Sequence, residues 1–220
     1  MDLASQLLTA IKDGKDTEPA LRELQLINEA RLLLTLRTEE QRLSFWINLY
    51  NAFYILEYKS GGTEKIFTKK EFALAGNPIC LDDIEHTILR KRQWKYGLGY
   101  IKNPFATRVF DGFAPSQKYP KIHFALNCGA VSCPPLHIYH PENLRETLDK
   151  VTEDFLQAET EINEAKKSIK TNRILGWFIG DFGGKGGVKK MISKAVNKDL
   201  KGFSLSFKKY DWTPKVGVFE

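Results

Sequence analysis

The run FWINLYNAFYILEY, residues 45–58, is apolar on nearly every side of a helix. A helix with one apolar stripe lies on a surface, whereas one that is apolar all round has to be enclosed. The rest of the chain must therefore wrap this segment. Thr38-Glu-Glu-Gln41 forms a capping box that opens the helix. Gly61-Gly62 is the expected stop. Asn48 and Asn51 interrupt the apolar surface. A buried amide left unpaired costs about 1–3 kcal/mol. Each asparagine must therefore tie the helix to neighbouring backbone, or else orient a catalytic group or contact a substrate.

The segments around this helix are of mixed type. The first 60 residues read as helix, with Leu21, Leu24, Ile27, Ala30 and Leu34 at three- and four-residue steps. Thr68-x-x-Glu71 predicts a capped short helix, and Asp82-Asp-Ile-Glu85 a further one that carries His86 and ends near Arg92. Residues 94–120 read as loop. KIHFALNC, residues 121–128, is short, apolar and bounded by Pro120 and Gly129, which predicts a buried strand. Pro141 suits the start of a helix over about 142–158. A basic helix is expected over 187–197, and a C-terminal strand from FSLSF, residues 203–207. The predicted class is α+β in a single domain, a helix-rich N-terminal half packed on a small antiparallel or mixed sheet. Residues 1–37 would be a helical extension and 38–220 the core.

Composition narrows the function classes. An apolar fraction of 42% with 12% aromatic residues is that of a globular chain, which sets disorder aside. No run approaches the ~18 apolar residues of a membrane span. The N-terminus MDLASQLLTAIKDGKD has no basic region ahead of an apolar stretch, so a secretory signal is not expected and the chain reads as cytoplasmic. Cys80, Cys128 and Cys133 make an odd number with no Cys-x-x-Cys, so neither a disulfide framework nor a zinc ribbon is implied. His137-x-x-His140 with Cys133 lacks a fourth ligand, and no metal or other cofactor is expected. Residues 166–220 hold 13 basic and 4 acidic side chains, a charge of +9, which leaves −3 for the remainder. Those lysines are scattered, as on a solvated surface, and no nucleic-acid motif accompanies them. Gly183-Gly-Lys-Gly-Gly187 lacks phosphate-loop spacing and reads as a turn.

Chemistry-bearing residues fall into two further groups. Glu85 has a capping role to fill as third residue after Asp82, and His86 beside it titrates near neutrality. Adjacent helical residues point about 100° apart, so Glu85 is poorly placed to orient His86. On a 121–128 strand, His123 and Asn127 would share one face and Phe124, Leu126 and Cys128 the other. Cys128 then reads as a core thiol, unless a bulge at Gly129 turns it outward. Cys133 lies past the strand end and is the better nucleophile candidate, given an imidazole within reach.

FWINLYNA, LDDIEHTILR and IHFALNCGAVSCPPL together resemble the signature blocks of the domain of unknown function 547 family, found in bacteria and plants. Trp177 with Asp181-Phe182 and the terminal Tyr210-Asp-Trp212 also resemble it, although Thr213-Pro214 departs from its pattern. The resemblance implies emphasis on Glu85-His86 and on the Cys128–Cys133 block, and it implies no reaction. Trp46-x-Asn48 is more weakly similar to the helix behind the nucleophile of transglutaminase-like and papain-like folds. Here the cysteine such helices carry is replaced by Arg42-Leu-Ser-Phe45.

Three functions fit these residues. The first is a non-catalytic binding or scaffold domain with a peptide or protein partner. The second is a cysteine-dependent hydrolase or acyl-transferase, with Cys133 as nucleophile, His86 or His123 as base, and Glu85, Asn48 or Asn127 orienting. The third is binding of an anionic polymer by the basic C-terminal quarter, with nucleic acid the less expected target.

Overall fold

The computed structural model describes residues 2–61 and 65–219. Three short helices, α1 Leu3–Lys12, α2 Glu18–Leu26 and α3 Glu29–Thr35, lead to the long α4, Glu39–Lys59. The Thr38 box forms: Thr38 Oγ1 accepts from Gln41 N at 3.2 Å and Gln41 Oε1 accepts from Thr38 N at 3.0 Å. Phe45 to Ile55 are buried without a break, as an all-round apolar helix requires. The helix ends at Lys59 with Ser60 as its cap and Gly61 at φ +89°; Gly62, the other half of the expected stop, lies outside the described residues.

The periodicity upstream is interrupted. Ile27 leaves helical geometry at ψ 135°, and Asn28 starts α3 by accepting from Arg31 N at 2.7 Å. The restart changes the buried face, so Leu32 is enclosed at 1% exposure while Leu34, expected inside, is 61% exposed. Helix α1 lies along α4, its Ala4, Leu7, Leu8 and Ile11 in the same apolar cluster as Trp46 and Phe53.

Two other expectations are overturned. Thr68-x-x-Glu71 opens no helix; the hairpin β1 Phe72–Leu74 and β2 Asn77–Ile79 follows it, with Phe72 opposite Ile79. Residues 121–128 are no strand, because Pro120–Phe124 is a 3₁₀-helix. Pro120 is preset for a helical first turn, and Ala125 N and Leu126 N both donate to Ile122 O, at 2.8 and 3.0 Å. What an adjacent strand would have supplied comes from α4 instead. Asn51 Nδ2 donates to Ala125 O, and Asn51 Oδ1 accepts from Asn127 N, both at 2.9 Å.

Between these elements run a π-helix, Asp83–Leu89, and a 3₁₀-turn, Asp111–Phe113, whose Phe113 O accepts from buried Trp46 Nε1 at 2.9 Å. Beyond them, α5 Leu144–Glu159, α6 Ile174–Trp177 and α7 Gly184–Ala195 pack with β3 Glu161–Asn163, β4 Ser168–Thr171 and β5 Ser204–Phe207. β4 pairs antiparallel with β3 and parallel with β5, giving a mixed three-stranded sheet. The chain is a single α+β domain with a large cluster around α4 and a second around Phe155, Ile169, Leu175 and Ile192. Among the described residues, no helix is long and apolar enough to cross a membrane.

Asn48 ties α4 to two other segments, with Nδ2 donating to Ser5 Oγ at 3.0 Å and Tyr139 O at 2.7 Å, and Oδ1 accepting from Tyr139 N at 2.9 Å. Asn48→Ala strands both Tyr139 groups in the interior and is expected to cost about 3 kcal/mol in urea unfolding. A loss below about 1 kcal/mol would show that water or a shift of the 136–140 segment replaces the amide.

Candidate functional site

Glu85, His86, His123, Cys128 and Cys133 all line one cleft of about 440 Å³. Tyr96, Trp177, Phe178, Tyr210 and Trp212 form much of its wall, and Tyr50 on α4 lies beneath it.

The π-helix shapes one side. Its wide turns, seen in Arg90 N donating to Glu85 O at 2.9 Å, are rare and recur at functional sites. The capping role expected for Glu85 is not taken up: Asp82 makes no side-chain cap, and Asp83 instead accepts from Cys80 N at 3.2 Å. Glu85 turns inward, where Oε2 accepts from Tyr50 Oη at 3.4 Å. Burial pushes its carboxyl up to about 7 against the opposing pull of the Arg90 charge.

His86 Nδ1 lies 2.8 Å from Arg90 Nη1. A guanidinium has only donors, so Nδ1 is the acceptor and the imidazole proton sits on Nε2. That nitrogen lies 3.7 Å from Asp82 Oδ1. Burial, with the Arg90 and Lys95 charges adding to it, holds the ring neutral, its pKa well below the ordinary value. The His86 lone pair is therefore occupied, and Glu85, with Oε1 at 3.7 Å from Nδ1, does not orient the ring.

Asp181 organises the opposite side. Its Oδ2 accepts from Arg90 Nε at 2.7 Å and faces His123 Nε2 at 3.0 Å, while Oδ1 accepts from Lys118 Nζ at 3.0 Å. Burial alone would raise this carboxyl. The His123 hydrogen bond and the Arg90 charge outweigh burial and hold it far below the usual carboxylate range. An ionised carboxylate only accepts, so His123 carries its proton on Nε2. The ring stacks on Phe178 with centroids 3.9 Å apart, and burial pushes its pKa down to about 4 despite Asp181. The chain at Gly99 must pass close to Asp181. Its φ is +85°, and a Cβ there would stand 2.5 Å from Asp181 N.

The strand alternation that would have turned Cys128 wholly inward is overturned: Cys128 packs against the apolar clusters that hold Phe124 and Leu126, but it is only half-buried and also reaches the cleft. Gly129, at φ +67°, turns the chain, and a Cβ on it would strike the Tyr54 ring at 2.6 Å. Both cysteines are half-buried, and both reach the cleft. Cys133 Sγ accepts from Cys128 N at 2.9 Å and from Tyr210 Oη at 3.2 Å, and Cys128 Sγ lies 3.1 Å from the same hydroxyl. Burial raises the Cys133 pKa, but the hydrogen bonds from Cys128 and Tyr210 outweigh it and bring the thiol below its ordinary value. Cys128, bonded to that sulfur and buried, is pushed up.

Asn48, Asn51 and Asn127, the expected substrate contacts, stand apart from this cleft. Asn127 Nδ2 donates to Pro134 O at 2.6 Å, and its Oδ1 accepts from Gly129 N at 2.7 Å, so all three amides brace backbone. Sequence reasoning missed Asp181, Arg90, Tyr50 and Tyr210 as site residues. Asp181 and Tyr210 carried a family likeness but no role. Arg90 closes a segment that already holds Asp82, Asp83, Glu85 and His86, where a further charged residue normally marks a surface.

A family model described as a protein of unknown function, DUF547, matches residues 34–156. The match takes in Glu85, His86, His123 and both cleft cysteines, and ends before Asp181 and Tyr210. No curated protein and no solved structure matches the chain, so the likeness to transglutaminase-like and papain-like folds gains no support.

Two substitutions test these electrostatics. Asp181→Asn leaves the enclosed Arg90 without its counter-ion, and breaking a buried pair of this kind costs about 3–5 kcal/mol in urea unfolding. A loss under about 1 kcal/mol would mean that Arg90 finds another partner or reaches water. Glu85 binds its proton more tightly folded than unfolded, so its contribution to stability is lost as pH rises from 4.5 to about 7. His123 works in the opposite sense from about 4 to 6.5 and is common to both proteins. Glu85→Gln should therefore gain stability relative to the parent across the Glu85 window, by on the order of 1–3 kcal/mol, with no change below it. A pH-independent difference between the two unfolding curves would contradict this assignment.

Proposed function

Because the chain belongs to DUF547, a protein family of unknown function that brings no reaction with it, we propose that it is a non-catalytic binding domain whose cleft receives an apolar side chain of a peptide or protein partner. The observation that carries this reading is an apolar rim wider than the cleft. Tyr96 and Leu98 line the cleft, and Trp94, Tyr100, Ile101 and Phe105 continue the same segment in exposed positions. On the other side Trp212 is 57% exposed and stacks near Trp177. Contiguous exposed apolar surface marks interaction sites, and a partner spanning both cleft and rim is larger than a metabolite. The segment is held in place, with Trp94 N donating to Ile101 O at 2.8 Å and Gly180 N to Leu98 O at 2.7 Å. Below about pH 7, where its carboxyl holds a proton, Glu85 offers the incoming chain a hydrogen-bond donor at the cleft floor.

The cysteine-hydrolase reading rests on one observation, the donors around Cys133 Sγ in a cleft that also holds the His123–Asp181 pair. It is the weaker reading because the imidazole bonds go to Arg90 and Asp181 rather than to sulfur, and a nucleophile needs its base within hydrogen-bond reach. Binding of an anionic polymer draws less support, since Lys198 pairs with Glu164 and Lys208 lies against Glu159 and Glu161. Three free thiols suit a reducing compartment, and a cytoplasmic location belongs to the same proposal.

Selection of a displayed random-peptide library on the full chain tests the binding reading. Recovered peptides should share an aromatic or long aliphatic anchor and lose roughly tenfold or more in affinity to Trp212→Ala or Tyr96→Ala, as anchor contacts do. Peptides that bind both variants as tightly as the parent would place the interaction elsewhere. Turnover of ester or amide probes that disappears in Cys133→Ala would favour the hydrolase.

A further inference from the structure

Cys128 and Cys133 make an arrangement that binding a partner does not use. Their sulfurs lie 3.1 and 3.2 Å from the one Tyr210 hydroxyl, and the Cys133 sulfur lies 2.9 Å from the Cys128 backbone nitrogen. The turn that brings them together is closed by Cys133 N donating to Ala130 O at 3.0 Å. Both line the cleft, so a small solute reaches them, and the cleft wall around them is aromatic. We propose that Cys133 and Cys128 form a hydroperoxide-reactive dithiol, in which Cys133 is oxidised first and Cys128 resolves it to a disulfide.

The division of labour follows from the contacts. Cys133 sulfur receives an N–H and an O–H donor, the environment that favours a thiolate. The single proton of the Tyr210 hydroxyl goes to Cys133, so Cys128 can only donate its own S–H to that oxygen and stays a thiol until its neighbour is oxidised; the opposite displacements of the two thiol pKa values agree with this order. In the first step the Cys133 thiolate attacks the terminal oxygen of ROOH. An S–O bond forms, the O–O bond breaks, sulfur gives up two electrons, and the leaving alkoxide takes the proton released by the thiol to become ROH. In the second step the Cys128 sulfur attacks the Cys133 sulfenic acid. An S–S bond forms, the S–O bond breaks, and the hydroxyl leaves with the Cys128 proton as water. Tyr210, touching both sulfurs, is a positioning residue for the pair. A low-pKa, accessible thiol next to a resolving cysteine is the pattern of peroxide-sensitive sites.

Cys80 is an internal reference. It is buried, its thiol contacts Asp83 Oδ2 at 3.2 Å, and burial pushes it up to about 12. The experiment treats the reduced full chain with stoichiometric hydrogen peroxide, alkylates the remaining thiols, and maps the peptides by mass. A linked Cys128–Cys133 peptide, appearing roughly tenfold or more faster than any modification of Cys80, is the expected result. In Cys128→Ala a 1,3-dione trap should capture a sulfenic acid on Cys133, and in Cys133→Ala the residue Cys128 should stay reduced. Tyr210→Phe should slow oxidation of Cys133 while leaving the far-ultraviolet circular dichroism unchanged. Oxidation of Cys133 no faster than Cys80, or of Cys128 in the absence of Cys133, overturns the proposal. So does over-oxidised Cys133 with no linked peptide in the parent chain, a result that needs no variant to fold. Loss of peptide binding in the separate library experiment bears on the binding reading alone, because the sulfur chemistry is read without a partner.

Discussion

A carboxylate enclosed in a protein survives only with charges and donors around it, and Asp181 collects three of them from three separate segments. Arg90 comes from the end of the π-helix, His123 from the 3₁₀-helix after Pro120, and Lys118 from the segment just before it. Arg90 and Asp181 are both almost fully enclosed, so removing either one leaves the other buried without its main partner. The pair draws the region after α6 onto the region before α5, and in doing so joins the two apolar clusters on either side of the cleft. The Arg90 guanidinium then has a second duty, donating to His86 and lying over the Phe178 ring at 4.5 Å. One ion pair thus sets the tautomers of both imidazoles, and with them what the cleft can do.

Those tautomers carry the functional argument. A histidine whose lone pair already accepts from an arginine is a poor base, and one whose pKa is pushed down to about 4 is a weak one at neutral pH. Burial has the reverse effect on Glu85, pushing its carboxyl up to about 7, so that it holds its proton below that pH and releases it above. The two imidazoles of the cleft are therefore poorly equipped for proton abstraction. The proposed binding of an apolar group asks for no base, and the proposed oxidation of the Cys133 sulfur needs no imidazole.

The central helix works by a different economy. Its asparagines do not serve the site directly. They replace the edge of a sheet, giving the irregular segments 125–127 and 139 the backbone partners that a strand would have offered. This is how a chain with little sheet encloses an apolar helix without leaving peptide groups unpaired. The same device ties down the cysteine loop, since Asn51 braces Asn127 and Asn127 braces Gly129 and Pro134.

What the sequence determined by itself was whatever local pattern and composition can carry. The burial of residues 45–55, the Thr38 box, the helix after Pro141, the strand near 204–207 and the α+β class all follow from spacing and capping chemistry. Polar residues in apolar segments need partners, which favours a meeting of Glu85, His86, His123 and the cysteines, but the cleft they line is set by contacts between segments far apart in the chain. Tertiary structure decided the rest. KIHFALNC has a strand's composition, yet Pro120 and the Asn51 side chain, some 70 residues earlier in the chain, fold it as a 3₁₀-turn and so deliver both cysteines to the cleft. Asp181 gives no local sign of burial, because the charges and donors that stabilise it lie 58 to 91 residues away. Periodicity reports which face of an element meets the core; it carries no record of which distant charge will be waiting there.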